Sequence, residues 1–376
     1  MADNKDKKVL NVPALRFPEF TEEWREYAIG NVLSIGNGRD YKHLHNGDIP
    51  VFGTGGYMTS VDDFLYDGES VFIGRKGTIN KPLYYNGKFW TVDTLFYTHS
   101  FVNVLPKFAY CLFQTINWLK YNEASGVPSL SKATIEKIKV RVPSMDEQGK
   151  LSNQLFLLDK RIEVQNKIIE KLETLIKGFV DSIFTANKFP KVPFKEIYVR
   201  AGEGGTPATS NPEYYDNGTI PFIKIDDLQN KYIKTNKDCI TELGLQKSSA
   251  WIVPANSIIY SNGATIGAIS INLFPVCTKQ GILGVVPKAD INVEFLYYFM
   301  TSTAFTKAVE RIVTEGTMRT AYLKDINHIP CPVPYPVKQD EIAKMLSTLS
   351  EKLENEVIFQ MKLQKQKEFL LSQMFI

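Results

Sequence analysis

The chain has 376 residues, of which 44% are hydrophobic and 23% charged, with a formal net charge of +3. This length and composition predict two or three globular domains, and no apolar run approaches the roughly 18 residues that a membrane-spanning helix needs. The nearly neutral charge argues against non-specific binding of nucleic acid over the whole surface, so any contact with DNA has to come from local patches.

The N-terminal segment, residues 1–19, lacks the apolar core of a signal peptide and is predicted to be a short solvated lead-in. The four cysteines form no CxxC pair, which predicts reduced thiols in a cytosol rather than a disulfide framework or a zinc site. His43 and His45 form a local pair with no third ligand nearby. We therefore predict no metal site.

The chain repeats itself once. NGDIPVF at 46–52 returns as NGTIPFI at 217–223. VPSMDEQ, ending at Gln148, returns as VPYPVKQ, ending at Gln339, which is 191 positions later (339 − 148). A weaker pair is GRKGTIN in the first half and SNGATIG in the second. Such self-similarity predicts two copies of one structural module.

Each half consists of a variable body and a closely repeated tail. The first body is residues 20–143 and the second is 187–334; the tails are 144–186 and 335–376. Variable bodies on repeated tails predict two modules with different specificities on one scaffold.

The bodies have the pattern of mixed, mainly β structure. Asn-Gly and Asp-Gly dipeptides predict turns between short β-rich runs such as Ser70–Ile73 and Ser257–Tyr260. Each body ends with one predicted helix, at 106–121 and 293–312. The four dipeptides lie at 46–47, 67–68, 86–87 and 217–218.

The tails predict two long helices that pair. Steps of four and three from Leu151 meet an apolar residue at nine of ten slots, and the slots 191 positions later are apolar at seven of ten. This heptad seam predicts helices of about 39 residues, roughly 58 Å long, in an antiparallel coiled coil. The predicted seam residues are Leu151, Leu155, Leu158, Ile162, Gln165, Ile169, Leu172, Ile176, Phe179 and Ile183 in the first tail, and Ile342, Leu346, Leu349, Leu353, Glu356, Leu363, Leu370 and Met374 in the second.

Two polar seam residues occupy the same slot of the two tails, Gln165 and Glu356. An antiparallel pair would bring them face to face near the helix centre. Two interpretations remain open: a buried polar layer that fixes register and direction, or a frayed seam with both residues solvated.

Several segments together resemble the DNA specificity subunit of type I restriction–modification systems. They are LRFPEFTEEW at 15–24, NGDIPVFGTGG and GESVFIGRKGTINKP in the first half, GGTPATSNPEYYDNGTIPFIKIDDL in the second, and the repeated helix starts. The resemblance covers essentially the whole chain from Leu15 onward. One departure is Lys338-Gln339-Asp340, where the family often has an acidic pair before the glutamine.

The resemblance implies an α+β fold. Two mixed, mainly β target recognition domains, residues 20–143 and 187–334, would be separated by two long helices in an antiparallel coiled coil, with a pseudo-two-fold internal repeat. It further implies a cytoplasmic protein of a bacterium or archaeon that binds double-stranded DNA and catalyses nothing itself.

In that family picture each recognition domain reads one half of a bipartite site in the major groove, and the helices set the spacing between the halves. The helices also dock two methylation subunits, which restriction–translocation subunits join. S-adenosylmethionine, ATP and magnesium belong to these partners, so we expect no cofactor, catalytic residue or metal in this chain.

Candidate DNA-contacting residues are basic and polar side chains in predicted loops, because Arg and Lys pair with guanine edges or phosphates. A solvated surface charge is the alternative for each of them. The candidates are Arg39, Lys42, Tyr57, Arg75, Lys76 and Lys81 in the first body, and Thr206, Ser210, Lys224, Lys231, Lys234, Lys247, Asn262 and Lys279 in the second.

Two other functions stay open. Asn211–Tyr214, NPEY, is one residue away from the NPP-aromatic box of adenine-N6 DNA methyltransferases, although Glu213 breaks the box and no Gly-rich loop follows a strand as cofactor binding requires. A coiled-coil scaffold without DNA binding is the second alternative. An orphan subunit without partners has the same sequence features as an active one.

Overall fold

The computed structural model describes residues 11–186, 189–263, 265–313 and 319–376. Most of the predicted lead-in (residues 1–10) and Ala264 of the SNGATIG segment lie outside the described residues. Contacts divide the chain into two units. Unit 1 comprises the described residues up to Asn166 together with Ile358–Ile376, and unit 2 comprises Lys167–Val357. Each body thus shares a unit with half of each tail.

Unit 1 contains a six-stranded sheet and a two-stranded ribbon. Its strands in the described residues are β1 (Arg25–Ala28), β2 (Ser34–Asn37), β3 (Asn46–Gly53), β4 (Gly56–Val61), β5 (Tyr66–Gly74), β6 (Leu83–Thr91), β7 (Leu95–His99) and β8 (Lys139–Val142). The sheet order is β2-β7-β5-β6-β3-β4, and β1 pairs with β8. Pairing is antiparallel except between β3 and β6.

Unit 2 contains sheets of five, three and two strands within the described residues. The strands are β9 (Lys191–Pro193), β10 (Tyr198–Glu203), β11 (Ile220–Ile223), β12 (Tyr232–Ile233), β13 (Asp238–Ile240), β14 (Ile258–Ser261), β15 (Ile269–Asn272), β16 (Cys277–Thr278), β17 (Ile282–Pro287) and β18 (Pro330–Pro332). The orders are β10-β17-β14-β15-β12, β13-β11-β16 and β18-β9. The predicted mainly β bodies are confirmed.

Short helices cover the sheets, and two long helices follow the bodies. In chain order they are α1 (Ile29–Val32), α2 (Pro106–Thr115), α3 (Lys132–Lys137), α4 (Met145–Ala186), α5 (Glu242–Gln246), α6 (Val293–Thr301), α7 (Thr303–Glu310), α8 (Leu323–Ile326) and α9 (Pro336–Met374). The single helix predicted at 293–312 is in fact two. Ser302 separates them because its buried hydroxyl accepts a hydrogen bond from the Phe305 amide and caps α7. None of the helices described is long and apolar enough to cross a membrane.

Three of the four predicted turns are wrong, since Asn46-Gly47 forms the start of β3 and the next two dipeptides also lie in strands. Gly68 and Gly87 lie inside β5 and β6 and face each other in the antiparallel pair. Both have φ in the left-handed half of the map, +139° and +130°. A Cβ at Gly68 would lie 3.3 Å from the Tyr66 ring. Both glycines therefore provide a backbone conformation within the strands that other residues rarely adopt, rather than a reversal of the chain.

The predicted helix seam is confirmed within each unit. In unit 1, Leu151, Leu155 and Met374 are buried in one core, and Asp159 of α4 forms an ion pair of 2.5 Å with Lys367 of α9. In unit 2, the other end of α4 packs with the start of α9, where Ile342 is buried. The first half of one helix thus meets the second half of the other, which makes the pairing antiparallel. Ile162, Leu346 and Leu363 are also buried, and Leu158, Ile169, Leu172, Ile176, Ile183, Leu349, Leu353 and Leu370 are half-buried.

One seam residue is wrong. Phe179 is 42% exposed, and its neighbour Val180, at 5%, is buried instead. A straight α-helix has 3.6 residues per turn, so a strict seven-residue pattern drifts by about 20° per heptad. By the fourth heptad after Leu151 the inward direction has passed to the next residue.

The two polar seam residues lie in different units, so their predicted contact stays a prediction. Gln165 is 5% exposed. Glu356 is half-buried and accepts a hydrogen bond of 3.1 Å from Lys352 one turn earlier.

A buried glutamine joins each body to its long helix. The Gln148 amide accepts from the Leu105 backbone N–H at 2.8 Å and donates to the carbonyls of Asn103 (3.0 Å) and Pro143 (2.9 Å). Its repeat counterpart, Gln339, has the same three bonds, with the corresponding backbone groups of the second body; both glutamines are 0% exposed. The repeated VPxxxxQ segment is therefore an anchor.

The described part of the lead-in, residues 11–19, is partly exposed, as predicted, but it is held against the rest of unit 1 by specific bonds. Arg16 makes two hydrogen bonds of 2.7 Å to the buried carboxylate of Glu147, and the Leu15 amide donates to the Gln373 carbonyl at 2.9 Å. Glu147 lies in the first turn of α4, where a negative charge is also favoured by the helix dipole. The lead-in is bound because a buried carboxylate needs a cation.

Candidate nucleic-acid interface

A cleft at one end of the six-stranded sheet gathers basic residues of the first body. Its volume is about 460 Å³, and Arg75, Lys76, Lys132, Asp93 and Glu123 line it together with backbone of the 129–131 segment. The three cations are exposed. This is the place where the structure brings two of the sequence candidates, Arg75 and Lys76, together.

The loop tip of this cleft is held by backbone hydrogen bonds on both sides. The amides of Arg75 and Lys76 donate to the Thr94 carbonyl at 2.8 and 3.2 Å, and the Leu130 amide donates to the Arg75 carbonyl at 2.9 Å. Gly77 follows with φ +88°, which favours glycine. The tip is therefore fixed by Thr94, just before strand β7, on one side and by the segment before α3 on the other.

The acidic residues of the cleft are partly committed to local contacts. Glu123 accepts hydrogen bonds from the hydroxyls of Thr134 and Ser131, and these bonds, that of Thr134 most, lower the pKa of its carboxyl. Lys132 lies 3.7 Å from Glu136 in an exposed pair of the kind that contributes little. Three cations against two carboxylates leave the cleft mildly basic.

The remaining first-body candidates lie in other loops. The Arg39 amide donates to the Thr91 carbonyl at 2.8 Å, which places Arg39 next to the same strand-end segment as Arg75. The Lys42 amide donates to the Asp40 carboxylate in a turn. Tyr57, at the β3–β4 hairpin, is 64% exposed, and its hydroxyl lies 3.1 Å from Ser60. Lys81 is exposed in the connection between β5 and β6.

The second body has a cleft built on the same backbone pattern. The amides of Asn262 and Gly263 donate to the Gly281 carbonyl at 3.1 and 3.2 Å, and the Ala321 amide donates to the Asn262 carbonyl at 2.9 Å. Asn262 therefore occupies the backbone position that Arg75 has in the first body. The cleft beside it has a volume of about 540 Å³.

Three second-body candidates line this cleft: Thr206, Lys224 and Lys279. The Thr206 hydroxyl accepts from the Gln280 amide at 3.3 Å. Lys224 pairs with Asp238 at 2.9 Å, with both side chains about 40% exposed (42% and 41%). Lys279 is exposed at the end of β16. Ser210 and Lys247 are exposed elsewhere in the body, Ser210 before the Pro212–Tyr214 turn and Lys247 at the end of α5.

Asn262 is not a surface residue. Its side chain is 1% exposed, and its amide nitrogen donates to the Glu203 carboxylate at 2.9 Å and to the Ala321 carbonyl at 3.1 Å. The predicted DNA contact does not fit this position, because the amide would have to leave a buried site where it holds three segments together.

Lys231 and Lys234 also lie away from the cleft. The Lys231 ammonium contacts Ser347 at 2.8 Å and Glu294 at 3.1 Å, and it lies 4.8 Å from the centre of the Tyr298 ring. Lys234 pairs with Glu354 of α9 at 3.3 Å. Their charges tie the second body to α9, so a DNA contact by Lys231 is inconsistent with its placement.

This cluster predicts a pH-dependent stability of unit 2. Burial raises the pKa of the Glu294 carboxyl, but hydrogen bonds from Ser347 and Tyr232 and the charge of Lys231 outweigh it, so the pKa is lowered from its ordinary value of 4.5. A lowered carboxyl pKa contributes stability that is present above the unfolded value and is lost as pH falls through the folded value.

We expect Glu294→Gln to be less stable than the natural chain at pH 7, and the difference to shrink as pH falls below about 4.5. Denaturant unfolding, with hydrogen exchange read on peptides of unit 2, measures it. Glu354→Gln, in an exposed pair, is the control. A difference that stays constant from pH 7 to pH 4 would contradict this role for the carboxylate.

The structure adds cleft residues that sequence reasoning missed. Lys132 and Asp93 line the first cleft, and Gln280 and Tyr322 line the second. The repeat contained the necessary information. Segments SLSK at 129–132 and TAYL at 320–323 occupy equivalent positions, 191 residues apart (320 − 129), and each faces a loop tip.

The methyltransferase-like tetrapeptide has a local role. The Asn211 side-chain oxygen accepts from the Glu213 amide at 3.1 Å and caps the short turn Pro212–Tyr214. The Thr241 hydroxyl donates to the Glu213 carbonyl at 2.8 Å, which fixes the turn beside α5. Within the described residues, no group of three or more His, Cys, Asp or Glu side chains is placed to hold a metal ion.

The family model and the curated relatives point to the same kind of protein. The model of the type I restriction modification DNA specificity domain matches residues 21–174 and 191–362. The MjaIX specificity subunit of Methanocaldococcus jannaschii is 32% identical over 164 residues, 43% of this chain and 38% of the relative. The HindI specificity subunit of Haemophilus influenzae is 35% identical over 115 residues, 30% of this chain and 25% of the relative. The alignments thus span well under half of these relatives.

One solved structure has a similar fold over nearly the whole length. The type I restriction–modification system S subunit from M. genitalium matches with a TM-score of 0.66 at 16% identity, covering 97% of this chain and 99% of that one. At this identity the likeness concerns the fold alone.

Proposed function

Because this chain belongs to the family of type I restriction modification DNA specificity domains, we propose that it is the sequence-recognition subunit of a type I restriction–modification complex. One observation carries the proposal. The same three backbone hydrogen bonds hold a loop tip in each body, at Arg75 and at Asn262, and the clefts beside the two tips are lined by different exposed side chains. A constant frame with variable side chains is what a reader of two different half-sites requires.

Each body would read one half of a split site in the major groove of double-stranded DNA, where all four base pairs can be distinguished. The exposed cations Arg75, Lys76 and Lys132 support this for the first body, and Lys224 and Lys279 for the second. Both clefts also contain carboxylates, so binding would rest on local contacts rather than on bulk charge.

The long helices would dock the two methylation subunits and set the number of unread base pairs between the half-sites. The support for docking is that each long helix exposes several large apolar side chains that could contact a partner. They are Leu157 and Val164 in unit 1, Ile168, Leu175 and Phe179 in unit 2, and Met361 and Phe369 on α9.

The catalytic chemistry would be supplied by the partners. S-adenosylmethionine would come with the methylation subunits, and ATP and magnesium with the restriction–translocation subunits that join the complex. A protein acting on chromosomal or invading DNA in this way would work in the cytoplasm. The two alternatives, a stand-alone adenine methyltransferase and a scaffold without DNA binding, gain no support from the family match.

Co-expression with the methylation subunit encoded beside it, in a host without DNA methylation, tests the proposal. We expect adenine methylation, mapped over the whole DNA by single-molecule sequencing, to appear only with both chains and to follow a split motif with a fixed gap. Methylation by this chain alone would instead make it the enzyme. A stable complex that methylates nothing would contradict the proposed role.

A further inference from the structure

We propose that Arg75 recognises a guanine in the half-site of the first body, and that the equivalent residue of the second body, Asn262, reads no base. This inference rests on the proposed function and assigns different tasks to one backbone position in the two bodies. Three observations support it: the backbone hydrogen bonds that hold the loop tip, the orientation of the Arg75 side chain, and the hydrogen bonds of the buried Asn262 side chain.

The loop tip is rigid enough to aim a side chain. The Arg75 carbonyl and amide are both hydrogen-bonded, to Leu130 and Thr94, and the Gly77 amide donates to the Pro128 carbonyl at 2.8 Å. Lys76 also bridges to Ser129. Because both flanks of the tip are tied to other segments, little backbone entropy is left to lose when DNA binds.

The Arg75 side chain is exposed but oriented. Its Nη1 donates to the Asp93 carbonyl at 3.3 Å, and its Cζ lies 5.8 Å from the centre of the buried Phe96 ring. A guanidinium has five N–H donors in a fixed fork, so the bond to Asp93 leaves an edge that can face a ligand. The ring and the carbonyl hold the group over the cleft.

The chemistry of the three cations differs. The guanidinium fork matches the O6 and N7 acceptors of guanine with two parallel hydrogen bonds. An ammonium is a compact point charge that suits phosphate as well as a base. We therefore assign base recognition to Arg75, and phosphate contacts to Lys76 and Lys132, which line the same cleft.

Asn262 has the same backbone hydrogen bonds as Arg75, but its side chain is buried rather than exposed. Its nitrogen is committed to Glu203 and Ala321, and the side chain is buried. The side chain, which directly follows strand β14, therefore bonds to strand β10 and to the segment before α8. In the second body, base recognition has to come from exposed cleft residues such as Lys279 and Gln280, at the end of the neighbouring strand β16.

Selection of bound duplexes from a random library, followed by sequencing, tests the assignment with the purified full chain. The natural chain should select a guanine at one position of one half-site. Arg75→Ala should lower discrimination at that position by roughly 5- to 150-fold, with the gap and the other half-site unchanged. Arg75→Lys should retain part of the preference. Arg25→Ala, an exposed arginine on β1, is the matched control and should change nothing.

Three outcomes would overturn the inference. Arg75→Ala could weaken binding to all duplexes alike and reduce the salt dependence by about one ion, as loss of a phosphate contact does. Arg75→Ala could instead leave the selected sequence motif unchanged. Asn262→Ala could relax a base position while keeping its unfolding midpoint.

Failure of the proposed function would look different. An unsplit motif selected by the natural chain would contradict the split-site proposal, yet the comparison with Arg75→Ala would still decide the guanine assignment. If the natural chain bound all duplexes equally, without any sequence preference, both the split-site proposal and the guanine assignment would be contradicted.

Discussion

Replacing Gln148 by leucine is expected to destabilise unit 1 by about 2–4 kcal/mol, because one buried and two part-buried backbone groups lose their partner at once. Leucine has a similar volume, so the effect is not one of packing. The Leu105 amide and the carbonyls of Asn103 and Pro143 would be left without the amide that satisfies them. Each unsatisfied group costs about 1–3 kcal/mol when water cannot reach it.

Denaturant unfolding with hydrogen exchange read peptide by peptide measures this loss and locates it. The expected signature is faster exchange at the junction between the first body and the start of α4. Gln154→Leu, at an exposed position of the same helix, is the control and should change the free energy of unfolding by less than about 0.5 kcal/mol. The chain also offers an internal replicate, since Gln339→Leu should have the same effect in unit 2.

If Gln148→Leu and Gln154→Leu unfolded at the same denaturant concentration, the glutamine would not be an anchor. An effect of Gln148→Leu on exchange in peptides remote from the junction would likewise point to a general loosening rather than to the three bonds.

The second large effect is expected at the ion pair of the helix seam in unit 1. The Lys367 side chain is only 11% exposed, and the Asp159 side chain, 2.5 Å away, is 26% exposed. Removing one partner of a buried pair leaves an uncompensated charge and costs about 3–5 kcal/mol, whereas replacing both by groups that fit is often neutral. We expect Asp159→Ser to be strongly destabilising.

The repeat suggests the compensating change. The slots equivalent to Asp159 and Lys367 in the other half are Ser350 and Ile176, 191 positions away (350 − 159 and 367 − 176). The double variant Asp159→Ser/Lys367→Ile should therefore regain most of the stability that Asp159→Ser loses, with a coupling of about 2 kcal/mol or more in a double-mutant cycle. If the stability losses of Asp159→Ser and Lys367→Ile simply added up in the double variant, the pair would contribute no specific interaction.

An exposed pair in the same unit serves as the reference. Lys139 and Glu26 lie 3.1 Å apart on the ribbon of β1 and β8, with side chains 65% and 50% exposed. The cycle on this pair should give a coupling of about 0.2–1 kcal/mol, because solvent screens the charges. The contrast between the two cycles separates burial from charge as the cause.

Periodic features were predictable from the sequence because they are local. The helix seam follows from residues three and four apart, and the strands of each body follow from short β-rich runs of neighbouring residues. The prediction failed at Phe179, where the drift of the α-helix had accumulated over several heptads. It also failed at Gly68 and Gly87, because a glycine in a turn and a glycine with positive φ inside a strand have the same sequence signature.

The fate of polar side chains was less predictable because it depends on distant partners. Asn262 bonds to Glu203, 59 residues away, and Lys231 bonds to Ser347, 116 residues away. Both looked like exposed loop residues in the sequence. Arg75 and Lys76 were placed correctly at a loop tip, but Lys132 became a cleft residue only through the fold.

The glutamine anchors have a consequence for how such chains can be inherited. All three partners of Gln148 and of Gln339 are backbone groups, which a body of any sequence can offer provided that its chain follows the same path. The attachment of a body to its helix through this glutamine therefore does not depend on the side chains of the body. Recombination between the two VPxxxxQ segments, or with those of another gene, would transfer a whole body without rebuilding its attachment; under the proposed function, a single such event would create a new recognition sequence.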